Sequence, residues 1–134
     1  MKVSSVKIHL IQNNVQEFSA TNSSRLLAFA TIVLENSLII YDLRVLRGDY
    51  GLFVGMPCRK VRDKCYSCLN KNIVQARFCN YCGKSLDPNR IVLNRHQEEI
   101  RHLDVVHPIT QDCRELLTDA VLDAYELKLK EVLV

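Results

Sequence analysis

The sequence predicts an α+β fold, in which an antiparallel β-meander is closed by a C-terminal amphipathic helix and interrupted by an inserted four-cysteine subdomain. Three observations carry this. Four stretches before Pro57 are apolar or alternating at strand length and are separated by turn-forming residues. The last stretch repeats its apolar residues at helical spacing, and between them two Cys-x-x-Cys pairs interrupt both periodicities.

The first strand, over residues 3–11, sets Val6, Ile8 and Leu10 against Ser5, Lys7 and His9, the period of two of a half-buried strand. Residues 13–24, rich in Asn, Ser, Gln and Thr, read as a loop. Residues 25–34 are apolar on both faces (Leu26, Ala28, Ala30 and Ile32 against Leu27, Phe29 and Val33), which predicts a central strand covered on both sides. After the polar break at Glu35, Asn36 and Ser37, residues 38–47 place Ile39, Tyr41, Leu43 and Val45 on one face, completing a hairpin. Gly48, Asp49, Tyr50 and Gly51 turn the chain into a fourth strand, 52–56, which Pro57 ends because proline cannot donate to a ladder.

At the far end, Asp112 and Glu115 make a capping-box-like start. Leu116, Leu117, Ala120, Val121, Ala124 and Tyr125 then recur at helical spacing. One helix over about residues 112–132 would span roughly 30 Å at 1.5 Å per residue. Leu127, Leu129, Val132 and Leu133 extend its apolar surface beyond what a small sheet can receive, so a homodimer is expected. The body is expected over residues 1–60 and 103–134, and the insertion over 61–102.

A chain of 134 residues with 48% hydrophobic content can bury one modest core. Its longest apolar stretch, residues 26–34, is interrupted by Thr31 and falls short of the roughly 20 residues a membrane-spanning helix needs. Lys7 and His9 break the apolar run a secretory signal would require, so a cytoplasmic protein with no membrane partner is expected. In reducing cytosol the six cysteines favour metal binding over disulfides, with Cys58 and Cys113 as ordinary reduced thiols. Charge is unevenly divided: from Arg59 to Arg101 ten basic residues face four acidic ones, an excess of +6, so a net charge of +3 leaves −3 for the remainder. Such concentration attracts polyanions.

Cys65, Cys68, Cys79 and Cys82 form C-x2-C-x10-C-x2-C. Thiolates are soft anionic ligands, each pair can wrap one side of a small ion, and two pairs complete a tetrahedron, so one structural Zn2+ is expected. An iron-sulfur cluster also takes four cysteines, although this spacing suits it less. Four thiolates leave no open coordination position, which argues against a metalloenzyme. His96 and His102 are read as exposed polar residues. The run from Arg77 to Leu86 resembles the second half of a short zinc ribbon; Leu69 stands where that family usually has glycine, and Tyr66 where it commonly has proline.

Tyr41-Asp42-Leu43-Arg44-Val45-Leu46-Arg47-Gly48, Gly51-Leu52-Phe53-Val54-Gly55-Met56-Pro57, Val106-His107-Pro108-Ile109 and Asp119-Ala120-Val121-Leu122 occur in the order in which the SpoVG family (stage V sporulation protein G) carries similar motifs. The chain resembles that family over residues 1 to about 60 and 103 to about 127, with the ribbon-like segment where typical members have a short loop. The resemblance implies a bacterial, dimeric, non-enzymatic regulator that binds DNA and, in some members, RNA, affecting sporulation, septum placement and virulence-related expression. It implies DNA contact by the basic pair after the Met-Pro motif, here Arg59 and Lys60.

From the residues themselves, Arg59, Lys60, Arg62, Lys64, Lys71, Arg77 and Lys84 are the candidate phosphate contacts, giving salt-dependent affinity by counterion release. Tyr66 and Tyr81 lie among them and can stack on unpaired bases, whereas Phe78 is expected to pack the ribbon's small core. The alternative is a protein-interaction module docking through the ribbon. No nucleophile, base and orienting group come together in the sequence and no Gly-rich phosphate loop appears, so neither an enzyme nor a small-molecule substrate is expected.

Overall fold

The period-two segments fold as a sheet in the computed structural model, which describes residues 1–11 and 25–133; the loop expected at 13–24 lies outside the described residues. The chain divides into two compact units, Met1–Pro57 with Val106–Val134, and Cys58–Val105. The second takes in the segment read as an insertion together with a few residues on either side.

In the first unit, β1 (Val3–Leu10), β2 (Leu26–Leu34), β3 (Leu38–Gly48) and β4 (Gly51–Gly55) form one sheet in the order β1-β2-β3-β4. Every neighbouring pair is antiparallel, the expected meander. Between β2 and β3 the amide of Ser37 donates to the Leu34 carbonyl at 2.9 Å. Glu35 (φ 53°) and Asn36 (φ 49°) are both left-handed, the twist a tight hairpin needs.

β3 departs from the expected phase. Ala30 pairs with Leu43 and Ile32 with Ile40, so two residues, Tyr41 and Asp42, stand opposite Thr31 alone. Asp42 takes φ 64°, a left-handed bulge residue, and the side chains change face there. Ile40, Leu43 and Val45 are therefore buried, while Ile39 and Tyr41, expected beside Leu43 and Val45, are exposed.

The helix α1 (Gln111–Leu133) begins one residue earlier than expected, and its cap is different. The Thr110 hydroxyl accepts from the Cys113 amide at 3.2 Å, making Thr110 the N-cap. Asp112 instead lies in the first turn, where its charge favours the helix dipole. Leu117, Val121 and Tyr125 pack with Ile8, Ala28, Ala30, Ile32, Leu43, Val45 and Val54 in the core. Burial of each large apolar side chain contributes about 1.5–3 kcal/mol. Only this face of β2 is fully buried; Leu27, Phe29, Thr31 and Val33 on the other are half-buried, correcting the expectation of cover on both sides.

The second unit is three short antiparallel ladders: β5 (Cys58–Lys60) with β10 (His102–Asp104), β6 (Arg62–Lys64) with β7 (Lys71–Ile73), and β8 (Val92–Leu93) with β9 (Glu99–Ile100). Around the cysteines its core holds only Cys65, Cys79 and Leu86 as buried members. Arg90 ties it together, donating to the Ile73 and Asp87 carbonyls at 3.2 and 2.9 Å and pairing with Asp63 at 3.5 Å.

Candidate metal centre

Each Cys-x-x-Cys pair is a tight turn, and the two turns are built alike. The amides of Cys65 and Cys79 donate to the carbonyls of Asn70 and Lys84, both at 2.8 Å. Those of Leu69 and Gly83 donate back to the Cys65 and Cys79 carbonyls, both at 3.0 Å. Gly83 closes its turn at φ 77°, a conformation glycine adopts freely. Leu69 closes the other at φ 65°, so the first turn keeps the shape of the second at the cost of a leucine in left-handed backbone.

These turns bring the four sulfurs together, with every Sγ within 4.8 Å of the others. Cys65 and Cys82 are 3.7 Å apart and Cys68 and Cys79 3.6 Å. Thiolates at about 2.3 Å around a tetrahedral ion stand about 3.8 Å apart. The donor set therefore fits one small soft cation. A polynuclear cluster, which distributes its thiolates over several irons, requires wider spacing.

The surroundings favour negative sulfur. Backbone amides point at it: Ser67 N–H to Cys65 Sγ and Tyr81 N–H to Cys79 Sγ, each at 3.4 Å. Hydrogen bonds from the backbone of Cys68 and Ser67 lower the Cys65 thiol pKa. Cys79 falls to about 6, chiefly through the Cys82 backbone, with Tyr81 and Asn72 adding to the effect. Cys82 moves the other way, to about 11: the Lys84 backbone lowers it, but burial and the adjoining cysteines together outweigh that. Gathering thiolates without a counterion is unfavourable, and a cation removes that penalty.

Asn72, which the sequence did not single out, organises this environment. It is 2% exposed, donates to Cys79 Sγ at 3.3 Å and accepts the Asn80 amide at 2.9 Å, linking β7 to the second turn. Its only trace in the sequence is a polar residue between Lys71 and Ile73, at a position whose burial emerges once the turns close. His96 and His102 are exposed and lie outside the sulfur cluster, as do Cys58 and Cys113.

The seven candidate phosphate contacts all lie in this unit and are exposed. Arg59 and Lys60 are on β5, Arg62 and Lys64 on β6, Lys71 on β7, and Arg77 and Lys84 flank the second turn. None has an ion-pair partner among the described residues. Lys64 stands directly across from Lys71, a like-charge pair that disfavours the ladder. Asp63 and Asn72 occupy the alternate positions, so Arg62, Lys64 and Lys71 share the face turned away from the buried Asn72. Phe78, expected inside the ribbon, is 63% exposed, alongside exposed Tyr66 and Tyr81.

The SpoVG family model matches residues 1–127. Similar relatives, each named "Putative septation protein SpoVG", include one from Bdellovibrio bacteriovorus, 26% identical over 98% of this chain and 80% of its own length. Those from Staphylococcus saprophyticus and Staphylococcus aureus are each 28% identical over 94% of this chain, and over 80% and 81% of their own lengths. The match spans the meander, the four-cysteine unit and most of α1, and the chain belongs to the SpoVG family.

Proposed function

We propose that this chain is a non-enzymatic regulator of the septation and sporulation class named by its relatives, acting by binding DNA or RNA through a zinc-stabilised basic unit. The observation that carries this reading is the set of seven exposed cations without an ion-pair partner among the described residues, drawn from three strands and a cysteine turn. Neutralising several phosphates with such a set gives affinity that falls steeply with salt. Zn2+ fits the four-thiolate donor set and tetrahedral spacing, and its role is structural because no coordination position is left open. With only Val61, Val74 and Leu86 as buried aliphatic side chains, the second unit has too small a core to hold itself, whereas a structural zinc contributes about 10–16 kcal/mol. Leu127, Val132 and Leu133 are exposed on α1, and a homodimer would cover them.

The decisive experiment titrates metal-loaded protein against duplex DNA, single-stranded DNA and RNA at two salt concentrations. Binding that weakens with salt is expected for at least one of them; no binding to any refutes the nucleic-acid role. A second reading, a ribbon that docks a protein partner, is favoured by exposed Tyr66, Leu69, Phe78 and Tyr81 around the cysteine turns. Deleting the ribbon would then abolish capture of that partner while leaving nucleic-acid affinity unchanged.

A further inference from the structure

A concavity of about 160 Å³ lies wholly within the second unit, beside the β5 and β6 strands. Arg59, Lys60, Arg62 and Lys71 line it, with no acidic residue among its walls, and all four are exposed and lack an ion-pair partner among the described residues. Its remaining surface is aliphatic, with Val92, Ile100 and Leu103 the accessible part. An aliphatic floor within a cationic wall suits a ligand that is flat and apolar on its faces and anionic at its edges.

We infer that this concavity holds one unstacked nucleotide of a single strand, its base against Val92, Ile100 and Leu103 and its flanking phosphates on Arg59, Lys60, Arg62 and Lys71. The inference rests on the nucleic-acid reading above and gives it a strand preference. Size argues against a whole drug-sized metabolite or cofactor. Sites that enclose a free metabolite or cofactor usually measure about 300–1,000 Å³, so this one takes a single unit of a larger polymer. In a duplex the base faces are stacked on one another and only base edges and the sugar-phosphate backbone are presented, which leaves the aliphatic floor without a face to cover it. An unpaired base offers its face, and single strands are recognised by such face contacts combined with a cationic track.

The test uses the full, metal-loaded chain with a short oligothymidylate and a duplex of the same length. In the wild-type protein, the oligothymidylate should shift the methyl NMR signals of Val92, Ile100 and Leu103, and the duplex should leave them in place. Leu103→Gln, at an exposed position, should weaken oligothymidylate binding about tenfold without changing duplex affinity, and Arg62→Gln with Lys71→Gln should flatten the salt dependence of single-strand binding. Should nucleic acid bind with those methyls unmoved and both variants unaffected, the concavity is not the site, although the general reading stands. Should an acidic, leucine-containing peptide move the methyls where oligothymidylate does not, the occupant is a protein. Failure of every nucleic acid to bind removes both readings together.

Discussion

Leu69 and Asn72 do more for the four-sulfur site than their types suggest. Left-handed backbone costs a residue with a Cβ about 1–2 kcal/mol, and glycine's extra unfolded-state freedom returns roughly 0.5–1 kcal/mol of that. Leu69→Gly should therefore stabilise the metal-loaded protein by up to about 1 kcal/mol, read as a raised unfolding midpoint; a lowered midpoint would show that the leucine side chain has a packing role. Asn72→Ala removes the donor to Cys79 Sγ and leaves the Asn80 amide without its acceptor. An unsatisfied buried group costs about 1–3 kcal/mol, so the variant should lose metal to a chelator roughly tenfold more readily. Protonation follows the same geometry. In the metal-free chain Cys79, depressed to about 6, contributes stability that is present above the ordinary thiol range and lost as pH falls through 6. Cys82, raised to about 11, stabilises the folded state at lower pH and loses that contribution as pH climbs through 11. Loading metal at neutral pH should accordingly release protons, with Cys82 a principal source, measurable in weak buffer. The cysteine spacing announces the site because the ligand pairs are local in the chain. Asn72 is illegible there because its partners, Cys79 and Asn80, lie in the second cysteine turn and meet it only once the chain has folded back.

At the scale of elements, the meander and the helix are legible because each repeats a period over many residues. The β3 bulge is not. A strict period of two places Ile39 and Tyr41 in the core, but one left-handed residue, Asp42, shifts the phase and brings Ile40 inward instead. Asp tolerates that conformation better than a β-branched side chain, whose two Cβ substituents crowd the backbone. Asp42→Val should lower stability by about 1–2 kcal/mol in a denaturant titration while Asp42→Gly stays near wild type. Equal midpoints for the two would mean that the bulge is not held by backbone conformation. The helix start is displaced for a related reason: Thr110 and Asp112 are both good capping residues, and only the Cys113 amide pointing at the Thr110 hydroxyl distinguishes them.

For the molecule as a whole, kinship and charge are separate observations. The family match establishes kinship, while the basic unit supplies the physical reason for expecting a polyanion. Reversing both charges in Arg59→Glu/Lys60→Glu should weaken nucleic-acid binding. The slope of log affinity against log salt should shrink by about 0.9 for each duplex phosphate no longer neutralised, or about 0.7 on single strands. A folded double variant with an unchanged slope would assign the phosphates to other cations. Sedimentation of the intact protein should give twice the monomer mass, and Leu133→Lys on the exposed helix end should shift it toward monomer. What the sequence does not convey at this scale is which aromatic residues face water. Phe78 is the natural candidate for a core residue because a ribbon needs one, and Leu86 fills that place instead.

The pairing of Lys60 with His102, and of Cys58 with Asp104, has an evolutionary consequence. Everything between Lys60 and His102 leaves and returns through adjacent strands, about 5 Å apart at the backbone. A stretch with neighbouring ends can be acquired, swapped or discarded as a cassette in one genetic event, because a tight hairpin joins the same two strands in its absence. The ladders of the meander are all formed by residues outside that gateway, so such an exchange leaves them intact.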